Sequence, residues 1–267
     1  MTTAIIGAGV MGEALLSGLL RGGHAPEDLL VGEKRAERAT ELTERYAVRA
    51  VPNTEAVVGA DTVVLVVKPQ DMRDVLTEIA PHVQVGQLVV SLAAGITTAS
   101  IEALLPDGVA VIRVMPNTPA LVDEGMAVVS GGTHATEEHL VAVEQILAVT
   151  GRVLRIAEKQ QDAVTAISGS GPAYLFFVVE SMIEAGVHLG LPRTTATELV
   201  VQTVVGSAKL LRETGEHPTV LRERVTSPGG TTAAAIRQLE DHKVRAAFIT
   251  AMEAARDRSV ALAASDD

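Results

Sequence analysis

A glycine-rich motif close to the start of the chain has the spacing of a dinucleotide-binding loop. Its residues are Gly7-Ala8-Gly9-Val10-Met11-Gly12, and they join an apolar, β-rich run, Thr3–Ile6, to a segment with helical spacing. In this setting the first glycine permits a tight turn, the second lets the backbone approach a pyrophosphate, and the third allows close helix–strand packing. Because the N–H groups of the helix N-terminus then face the phosphates, the motif predicts that the chain binds a dinucleotide.

Three charged residues follow the second apolar run. In a dinucleotide-binding domain the residue at this place distinguishes NADH from NADPH. The discriminating residue is expected about 20 residues beyond the glycine motif, at the end of the second strand. Glu33 occupies that place and would favour the ribose hydroxyls of NADH, but Lys34 and Arg35 follow directly and could hold the 2′-phosphate of NADPH. These residues therefore leave the choice between NADH and NADPH open.

Two later loops also follow predicted strands. Val66-Val67-Lys68-Pro69 ends the aliphatic run Thr62–Val67, and ligands bind at the carboxyl ends of the strands in sheets of this kind. We therefore expect these residues to lie near the cofactor. Met115–Ala120 follows another strand run, and its two prolines hold Asn117 and Thr118 on a fixed frame, which makes these two polar side chains candidates for contact with a ligand.

A loop in the second half of the chain offers hydrogen-bond donors to an anion. The segment Thr226–Thr232 contains two adjacent glycines, Gly229 and Gly230, followed by two threonines at a predicted helix start. Backbone N–H groups and hydroxyls at a helix N-terminus bind negatively charged groups. The loop therefore predicts a site for a carboxylate.

The elements that must position these residues change in kind near residue 157. Up to that point short aliphatic runs alternate with helical segments, which predicts a mostly parallel sheet covered by helices on both faces. From residue 158 onward no strand pattern remains, and Gly190, Gly215 and Gly229–Gly230 separate long helical segments. The sequence therefore predicts an α/β domain over 1–157 and an all-α domain over 158–267.

Composition excludes several classes of protein. With 22 Lys and Arg against 33 Asp and Glu, the formal net charge is −11, which argues against binding to nucleic acid. The chain has no Cys, and its seven His show no metal-binding spacing, so we expect no disulfide and no metal site. The N-terminus lacks the basic residues of a signal peptide, and Glu180 and Glu184 interrupt the most apolar stretch. We therefore expect a cytoplasmic protein that does not enter a membrane.

The predicted helix Arg193–Glu213 is apolar around most of its circumference. Such a helix must be buried on several sides, and a domain of about 110 residues cannot easily cover it alone. We therefore expect the helical domain to form an interface between copies of the chain.

Taken together, the motifs resemble those of pyrroline-5-carboxylate reductase, in order and over almost the whole chain. They are IGAGVMG, VVLVVKPQD, SLAAGIT, RVMPNTPALV, AISGSGPAYLF and VTSPGGTTAAA, and the last two are highly specific at this spacing. The resemblance implies an N-terminal Rossmann domain and a helical C-terminal dimerisation domain. It implies reduction of the cyclic imine 1-pyrroline-5-carboxylate to L-proline, the last step of proline biosynthesis. It also implies a homodimer, which in many members assembles further into a decamer of five dimers.

The resemblance implies NADPH as the preferred cofactor and NADH as the alternative, although Glu33 departs from the small or basic residue often found at its position. It also carries site residues onto this chain. For the cofactor it implies Gly7 to Gly12 with Met11 at the pyrophosphate, Asn53 at the adenosine end, Val67, Lys68 and Pro69 beside the cofactor, and Ala93, Ala94 and Gly95 near the nicotinamide ribose. For the substrate it implies the carboxylate-binding loop Ser227, Gly229, Gly230, Thr231 and Thr232, with the Thr232 hydroxyl as the catalytic group at the ring nitrogen and Glu158 lining the site.

Two other functions fit parts of the sequence. β-Hydroxyacid dehydrogenases have a similar layout but carry a helical Lys with an Asn four residues on, whereas Lys209 is followed by Glu213 and Lys159 by Ala163. A regulatory module that senses NAD(P) would explain the first domain but not the polar loop Ser227–Thr232. Oxidation of NADPH and NADH with pyrroline-5-carboxylate, and with a panel of 2-hydroxy and keto acids, distinguishes the three functions.

Overall fold

Short runs of Val, Ile, Leu and Ala in the first part of the chain form the eight strands of a single sheet. The computed structural model describes residues 2–264. The strands are β1 Thr3–Ile6, β2 Leu29–Gly32, β3 Arg49–Val51, β4 Thr62–Leu65, β5 Leu88–Ser91, β6 Ala110–Met115, β7 Gly125–Gly131 and β8 Gly151–Arg155.

The order of the strands across the sheet is β3-β2-β1-β4-β5-β6-β7-β8. Neighbouring strands from β3 to β6 are parallel, β7 is antiparallel to β6, and β8 is parallel to β7. The chain passes from β1 outward to β3 and then returns to the other side of β1 at β4, so the order reverses between β1 and β4. This arrangement confirms the predicted mostly parallel sheet of a Rossmann-like domain and places a ligand crevice at that reversal.

The helices follow the strands in alternation and then occupy the rest of the described chain. They are α1 Val10–Arg21, α2 Ala36–Tyr46, α3 Asn53–Val58, α4 Pro69–Ile79, α5 Thr98–Glu102, α6 Glu137–Ala148, α7 Gln161–Val164, α8 Gly171–His188, α9 Arg193–Thr214, α10 Pro218–Arg224, α11 Thr231–Asp241 and α12 Val244–Ala264.

Consecutive residues of the central strands enter two separate cores. Ile5 and Val64 belong to the core on one face of the sheet, whereas Ile6 and Leu65 belong to the core on the other face, and each is at most 1% exposed. Because side chains alternate across a strand, burial on both faces requires an uninterrupted aliphatic run. This is why the strands could be recognised in the sequence.

Contacts divide the chain into two compact units. One comprises the chain up to Ser170 together with the chain from Ala255 onward, and the other comprises Gly171–Ala254. The first unit contains the sheet. The second contains α8 to α11 and most of α12, and the described residues of this unit include no strand. The helical nature of the second half is thereby confirmed.

The helices of the second unit expose a large amount of apolar surface. On α8, Phe176 and Phe177 are 64% and 70% exposed, and on α9 the exposed residues include Leu199 and Val205. Of the residues of α9, only Ala196 and Val200 are buried. A single copy of the chain therefore leaves uncovered much of the helix that the sequence marks as apolar nearly all round.

One helical stretch, Glu158–His188, is long and apolar enough to cross a membrane by length and composition alone. It contains Glu180 and Glu184, the residues that argued against a membrane span in the sequence. Only 6% of its most apolar window is buried. The stretch includes α8 and therefore contributes to the exposed apolar surface of the helical region.

Three elements were not predicted from the sequence. The strand β3 has three residues, of which Arg49 is exposed, α3 has six residues and α7 has four. All three are too short to show a clear period. A further difference is that β4 ends at Leu65, because Val66 and Val67 leave the sheet and lead into α4.

Candidate functional site

Four strand ends lie side by side at one edge of the sheet. The Gly7 N–H donates to the Gly32 carbonyl at 2.8 Å, the Val66 N–H donates to the Ile6 carbonyl at 2.8 Å, and the Leu92 N–H donates to the Leu65 carbonyl at 3.0 Å. These bonds hold the loops after β1, β2, β4 and β5 in one row. The carboxyl edge at the reversal point of such a sheet is where dinucleotides bind.

Every residue predicted to contact the cofactor lies in a loop that leaves this edge or at the start of the helix that follows. These residues are Gly7, Ala8, Gly9, Val10, Met11 and Gly12 after β1, Glu33, Lys34 and Arg35 after β2, Asn53 after β3, Val66, Val67, Lys68 and Pro69 after β4, and Ala93, Ala94 and Gly95 after β5. The structure thus assembles residues that are up to 88 positions apart in the sequence.

The glycine motif forms a turn that leaves space above its second glycine. Gly7 has a φ of +93°, and a Cβ there would lie 2.7 Å from the Val66 carbonyl oxygen, while a Cβ at Gly12 would overlap the Gly7 carbonyl oxygen. At Gly9, apart from its two chain neighbours, no described residue lies within 4 Å of where a Cβ would be. Gly9 precedes the first turn of α1, whose N–H groups have no side-chain cap in the described chain. The loop therefore fits a pyrophosphate, which would occupy the open space at Gly9.

Glu33 is the most enclosed of the three charged residues after β2. Its side chain is 7% exposed, and its carboxylate accepts hydrogen bonds from the Arg35 backbone N–H and Nε at 3.0 Å and from Arg35 Nη2 at 3.1 Å. Burial raises the pKa of Glu33, but the hydrogen bonds and charge of Arg35 and the Ala8 N–H outweigh burial, so the pKa is below its ordinary value of 4.5. Glu33 is therefore ionised at neutral pH and already paired.

The other residues at the adenosine end form a second network. Asn53 is 4% exposed, and its side-chain amide donates to Glu78 Oε2 at 3.2 Å. Lys34 Nζ lies 3.2 Å from the same oxygen. Glu78 on α4 thus fixes both a polar amide and a lysine close to the ends of β2 and β3.

Side chains of α2 hydrogen-bond to the first turn of α1. Glu13 accepts hydrogen bonds from Arg38, from Arg45 Nη1 at 2.9 Å and from the Tyr46 hydroxyl at 2.8 Å. Arg38 Nε also donates to the Ala8 carbonyl at 3.3 Å, which ties α2 directly to the glycine loop. These contacts hold the glycine loop and α1 in a fixed position relative to α2.

The loops after β4 and β5 bring backbone to the same edge. Lys68 is exposed and immediately precedes α4, with Pro69 at the first helical position. Gly95 has a φ of +80°, so the chain turns sharply after Ala93 and Ala94. Exposed Lys68 places a positive charge beside the predicted path of the cofactor.

Glu158 lies after β8, and its carboxylate is bonded to the start of α5. One oxygen accepts from the Thr98 backbone N–H and the other from the Thr98 hydroxyl, both at 2.7 Å. Arg113 Nη1 approaches Glu158 Oε1 at 3.5 Å, and Arg113 Nη2 approaches Asp162 Oδ1 at 3.7 Å. Glu158 therefore connects the segment after β8 to the loop that carries Ala93–Gly95.

Arg113 and Thr98 were missed as site residues in the sequence. The Arg113 side chain is 3% exposed, and its Nη2 has no hydrogen-bond partner among the described residues. The available signal was an arginine inside the aliphatic run Ala110–Met115, since a buried charge is retained only when it is paired. The partners of Arg113 and of Thr98 could not be identified from the sequence, because Glu158 is 45 residues after Arg113 and 60 residues after Thr98.

Asn117 was expected to contact a ligand, but its side chain is used within the protein. Its Oδ1 accepts from the Met126 N–H at 2.8 Å, and its Nδ2 donates to the Ser168 carbonyl at 3.1 Å. The amide thereby joins the loop after β6 to β7 and to the turn before α8.

The predicted carboxylate loop in the second unit is a tight turn that leads into α11. The Gly230 N–H donates to the Ser227 carbonyl at 3.0 Å, and Gly229 has a φ of +71°. A Cβ at Gly230 would overlap Ser227 Oγ and lie 3.1 Å from the Ser227 carbonyl oxygen, so a side chain there would require the serine hydroxyl to move. Gly230 precedes α11 without a side-chain cap in the described chain.

Apart from the Gly230 N–H, the donors of this loop are uncommitted within the described chain. The hydroxyls of Ser227, Thr231 and Thr232 make no hydrogen bond to any described residue. The first-turn N–H groups of a helix have no intrahelical partner. The loop thus presents several N–H and hydroxyl donors at the positive end of a helix, which suits a carboxylate.

The described residues contain no group of three or more His, Asp or Glu side chains that could hold a metal ion.

Two family models match the chain. Residues 158–262 match "Pyrroline-5-carboxylate reductase dimerisation", and residues 2–95 match "NADP oxidoreductase coenzyme F420-dependent".

Relatives of known function match over nearly the full length. The pyrroline-5-carboxylate reductase of Corynebacterium melassecola is 47% identical, with 97% of each chain covered. That of Mycobacterium tuberculosis is 43% identical over 96% of this chain and 95% of the relative.

Solved structures give the same result. A pyrroline-5-carboxylate reductase from Coxiella burnetii is 35% identical, with a TM-score of 0.91 and 98% of each chain covered. The Plasmodium falciparum pyrroline carboxylate reductase, solved with NADP bound, is 30% identical, with a TM-score of 0.89 and the same coverage.

Proposed function

This chain belongs to the pyrroline-5-carboxylate reductase family, and on that premise we propose how its residues carry out the reaction. The protein reduces 1-pyrroline-5-carboxylate to L-proline with NAD(P)H, in proline biosynthesis. The observation that carries the assignment of roles is the loop Ser227–Thr232 at the start of α11. Its hydroxyls and the N–H groups of Gly229 and Thr231 make no hydrogen bond within the described chain. A small substrate with one carboxylate and one ring nitrogen needs this combination of donors.

The residues along the carboxyl edge of the sheet hold the cofactor. Gly9 leaves room for the pyrophosphate, and the first-turn N–H groups of α1 donate to it. Asn53 and the charged residues after β2 hold the adenosine end, and the loops Val66–Pro69 and Ala93–Gly95 hold the remainder. When bound, the reduced nicotinamide supplies the hydride that the imine carbon accepts.

The loop at the start of α11 holds the substrate. The amides of Gly229 and Thr231 bind the carboxylate, and the hydroxyl of Ser227 adds a further donor. Gly230 shapes the turn, because its own N–H is used on the Ser227 carbonyl. Fixing the carboxylate orients the ring, and orientation is a large part of catalysis when no covalent intermediate forms.

Thr232 acts at the ring nitrogen. Its hydroxyl hydrogen-bonds the nitrogen and relays a proton from solvent to it when the substrate arrives as the neutral imine. When the substrate arrives as the iminium, the hydroxyl oxygen accepts the N–H and stabilises the positive charge. No strong acid is then required, because orientation and stabilisation of charge supply the catalysis.

Glu158 is proposed to line the substrate site as well. Its two oxygens each accept one bond from Thr98, and a carboxylate has about four lone-pair positions. Glu158 therefore retains acceptor capacity for a protonated ring nitrogen.

The helical region forms a dimer in this family, and residues 158–262 match its dimerisation model. We propose that this chain pairs through the exposed apolar faces of α8 and α9 and that five such dimers form a decamer. The exposure of Phe176 and Phe177 supports the pairing, because large apolar side chains exposed side by side are typical of an interface between proteins. Light scattering coupled to size exclusion is expected to give a dimer or its fivefold multiple, and a monomer at micromolar concentration would contradict the proposal.

We further propose that the functional division of the chain lies between residues 157 and 158, where the match to the dimerisation model begins. A location in the cytoplasm is part of the same proposal, supported by the absence of Cys, which suits a reducing compartment.

The assay that tests the function measures the oxidation of NADPH and NADH with several substrates. We expect turnover with 1-pyrroline-5-carboxylate and none with 2-oxo acids. Turnover of a 2-oxo acid alone would indicate a hydroxyacid dehydrogenase, and cofactor binding without turnover of any substrate would indicate a sensor.

A further inference from the structure

The carboxylate of Glu33 is not available in the way an NADH-specific site requires. In such a site the acid at the end of the second strand accepts hydrogen bonds from the ribose hydroxyls. Here the side chain is 7% exposed, and three N–H groups of Arg35 already donate to its two oxygens at 3.0–3.1 Å. The negative charge of Glu33 is therefore matched by a guanidinium at contact distance.

Arg35, in contrast to Glu33, is exposed and retains free hydrogen-bond donors. Its side chain is 66% exposed, and two of its five guanidinium N–H groups are used on Glu33 through Nε and Nη2. The guanidinium makes no hydrogen bond to any other described residue. Three donors therefore remain on a group whose orientation is fixed by a two-point bond, which is the geometry that suits a phosphate.

The neighbouring cations are directed elsewhere. Lys34 pairs with Glu78 on α4 at 3.2 Å. Arg38 pairs with Glu13 and Glu41 and donates to the Ala8 carbonyl. Among Lys34, Arg35 and Arg38, the cations of the turn after β2 and the first turn of α2, Arg35 is thus the one that combines exposure with a guanidinium held at two points.

We propose that Arg35 binds the 2′-phosphate of NADPH and that Glu33 acts as the positioning residue that holds Arg35 in place. The inference rests on the proposed function because it concerns the cofactor of that reaction. It reverses the usual role of an acid at this position, which is to select NADH by accepting ribose hydroxyls and repelling a phosphate. Here Glu33 favours NADPH binding, because its carboxylate holds Arg35 in the position where the guanidinium contacts the 2′-phosphate.

The test measures the binding of NADPH and of NADH to the purified full-length protein in the absence of any imine. Binding is monitored through the fluorescence of the reduced cofactor. Arg35→Ala is expected to raise the Kd for NADPH about 10- to 100-fold, the usual range for a lost charge-assisted hydrogen bond, and to leave the Kd for NADH within about twofold. The matched control is Arg49→Ala. Arg49 lies at the start of β3, pairs with Glu55 and is 65% exposed, which is close to the exposure of Arg35. The control is expected to change neither Kd.

Glu33→Gln separates the two roles by the sign of its effect. A positioning role predicts that NADPH binds about 3- to 10-fold more weakly, because Arg35 loses its anchor, while NADH binding is unchanged. The usual selective role predicts tighter NADPH binding and weaker NADH binding, and that result would overturn the proposal. Arg35→Lys keeps the charge but not the two-point bond, and NADPH binding as tight as in the wild type would also overturn it. Since no imine is present, these outcomes are independent of whether pyrroline-5-carboxylate is the substrate.

Discussion

Thr98 donates both its backbone N–H and its hydroxyl to Glu158, one to each carboxylate oxygen and each at 2.7 Å. The two residues are 60 positions apart, and the bond joins the first turn of α5 to the segment after β8. Because the loop Ala93–Gly95 leads directly into α5, this pair connects a loop assigned to the cofactor with a side chain assigned to the substrate. A substitution at Thr98 should therefore change the position of the Glu158 carboxylate.

Replacement of Thr98 by Val removes the hydroxyl and keeps the shape and the backbone N–H. We expect kcat/KM for pyrroline-5-carboxylate to fall about 5- to 10-fold, since one hydrogen bond to a charged group is lost. The Kd for NADPH measured without substrate should be unchanged. Thr98→Ser restores the hydroxyl and is expected to recover most of the activity. Loss of activity in both variants alike would show that packing of the methyl group, not the hydroxyl, is what matters.

The buried guanidinium of Arg113 lies beside two half-buried carboxylates, and its removal should destabilise the protein. Arg113→Met leaves Glu158 and Asp162, each 27% exposed, without the nearby guanidinium, and the loss of such a partner costs about 1–3 kcal/mol. Denaturation by urea should show a loss of this size in the free energy of unfolding. The exposed pair Arg49–Glu55 is the control, because Arg49→Ala should cost less than about 1 kcal/mol. Equal effects of the two substitutions would contradict the interpretation.

The open space at Gly9 predicts a variant that folds but binds poorly. Gly9 has a φ of −70°, and apart from its chain neighbours no described residue lies within 4 Å of an added Cβ. Gly9 is also the N-cap of α1, so Gly9→Ala is expected to lower the free energy of unfolding by no more than about 1 kcal/mol and to raise the Kd for NADPH at least ~10-fold. Gly12→Ala, whose Cβ overlaps the Gly7 carbonyl, should instead lower the free energy of unfolding by about 1–3 kcal/mol. Unchanged NADPH binding in Gly9→Ala would remove the pyrophosphate from this loop.

Thr232 is expected to matter for turnover more than for folding. Its hydroxyl bonds no described residue, so Thr232→Ala should leave the melting temperature unchanged. We expect kcat/KM to fall about 10- to 100-fold, which corresponds to about 1.4–2.7 kcal/mol of transition-state stabilisation. Thr231→Ala, one residue earlier in the same turn, is the comparison, and an equal loss there would assign the effect to the loop as a whole. Unchanged kinetics in Thr232→Ala would exclude Thr232 from the mechanism.

The fold could be predicted from the sequence where burial leaves a strong pattern. The run predicted at Thr3–Ile6 coincides with β1, and the run predicted at Thr62–Val67 contains β4, because strands buried on both faces must be almost wholly apolar. The three-residue β3 at the sheet edge has no such requirement and was missed. The antiparallel direction of β7 is set by pairing with β6, which the residues of one strand do not reveal.

The site was predictable to the extent that backbone geometry determines residue type. The turn at Gly7 and the contact at Gly12 allow no side chain, so the glycine motif is visible in the sequence. Side-chain partnerships are different. The use of Asn117 within the protein, the pairing of Glu33 with Arg35 and the contact between Thr98 and Glu158 depend on rotamers and on distant segments, and these decide which polar residues remain free for a ligand.

The central claim is that this chain transfers a hydride to the imine carbon of pyrroline-5-carboxylate. The most direct test supplies NADPH deuterated at C4 of the nicotinamide on the transferred side and analyses the product by mass spectrometry and NMR. The account predicts one L-proline formed for each NADPH oxidised, with a single deuterium at C5 of the ring. Failure to oxidise NADPH with pyrroline-5-carboxylate, or formation of proline without the deuterium, would contradict it.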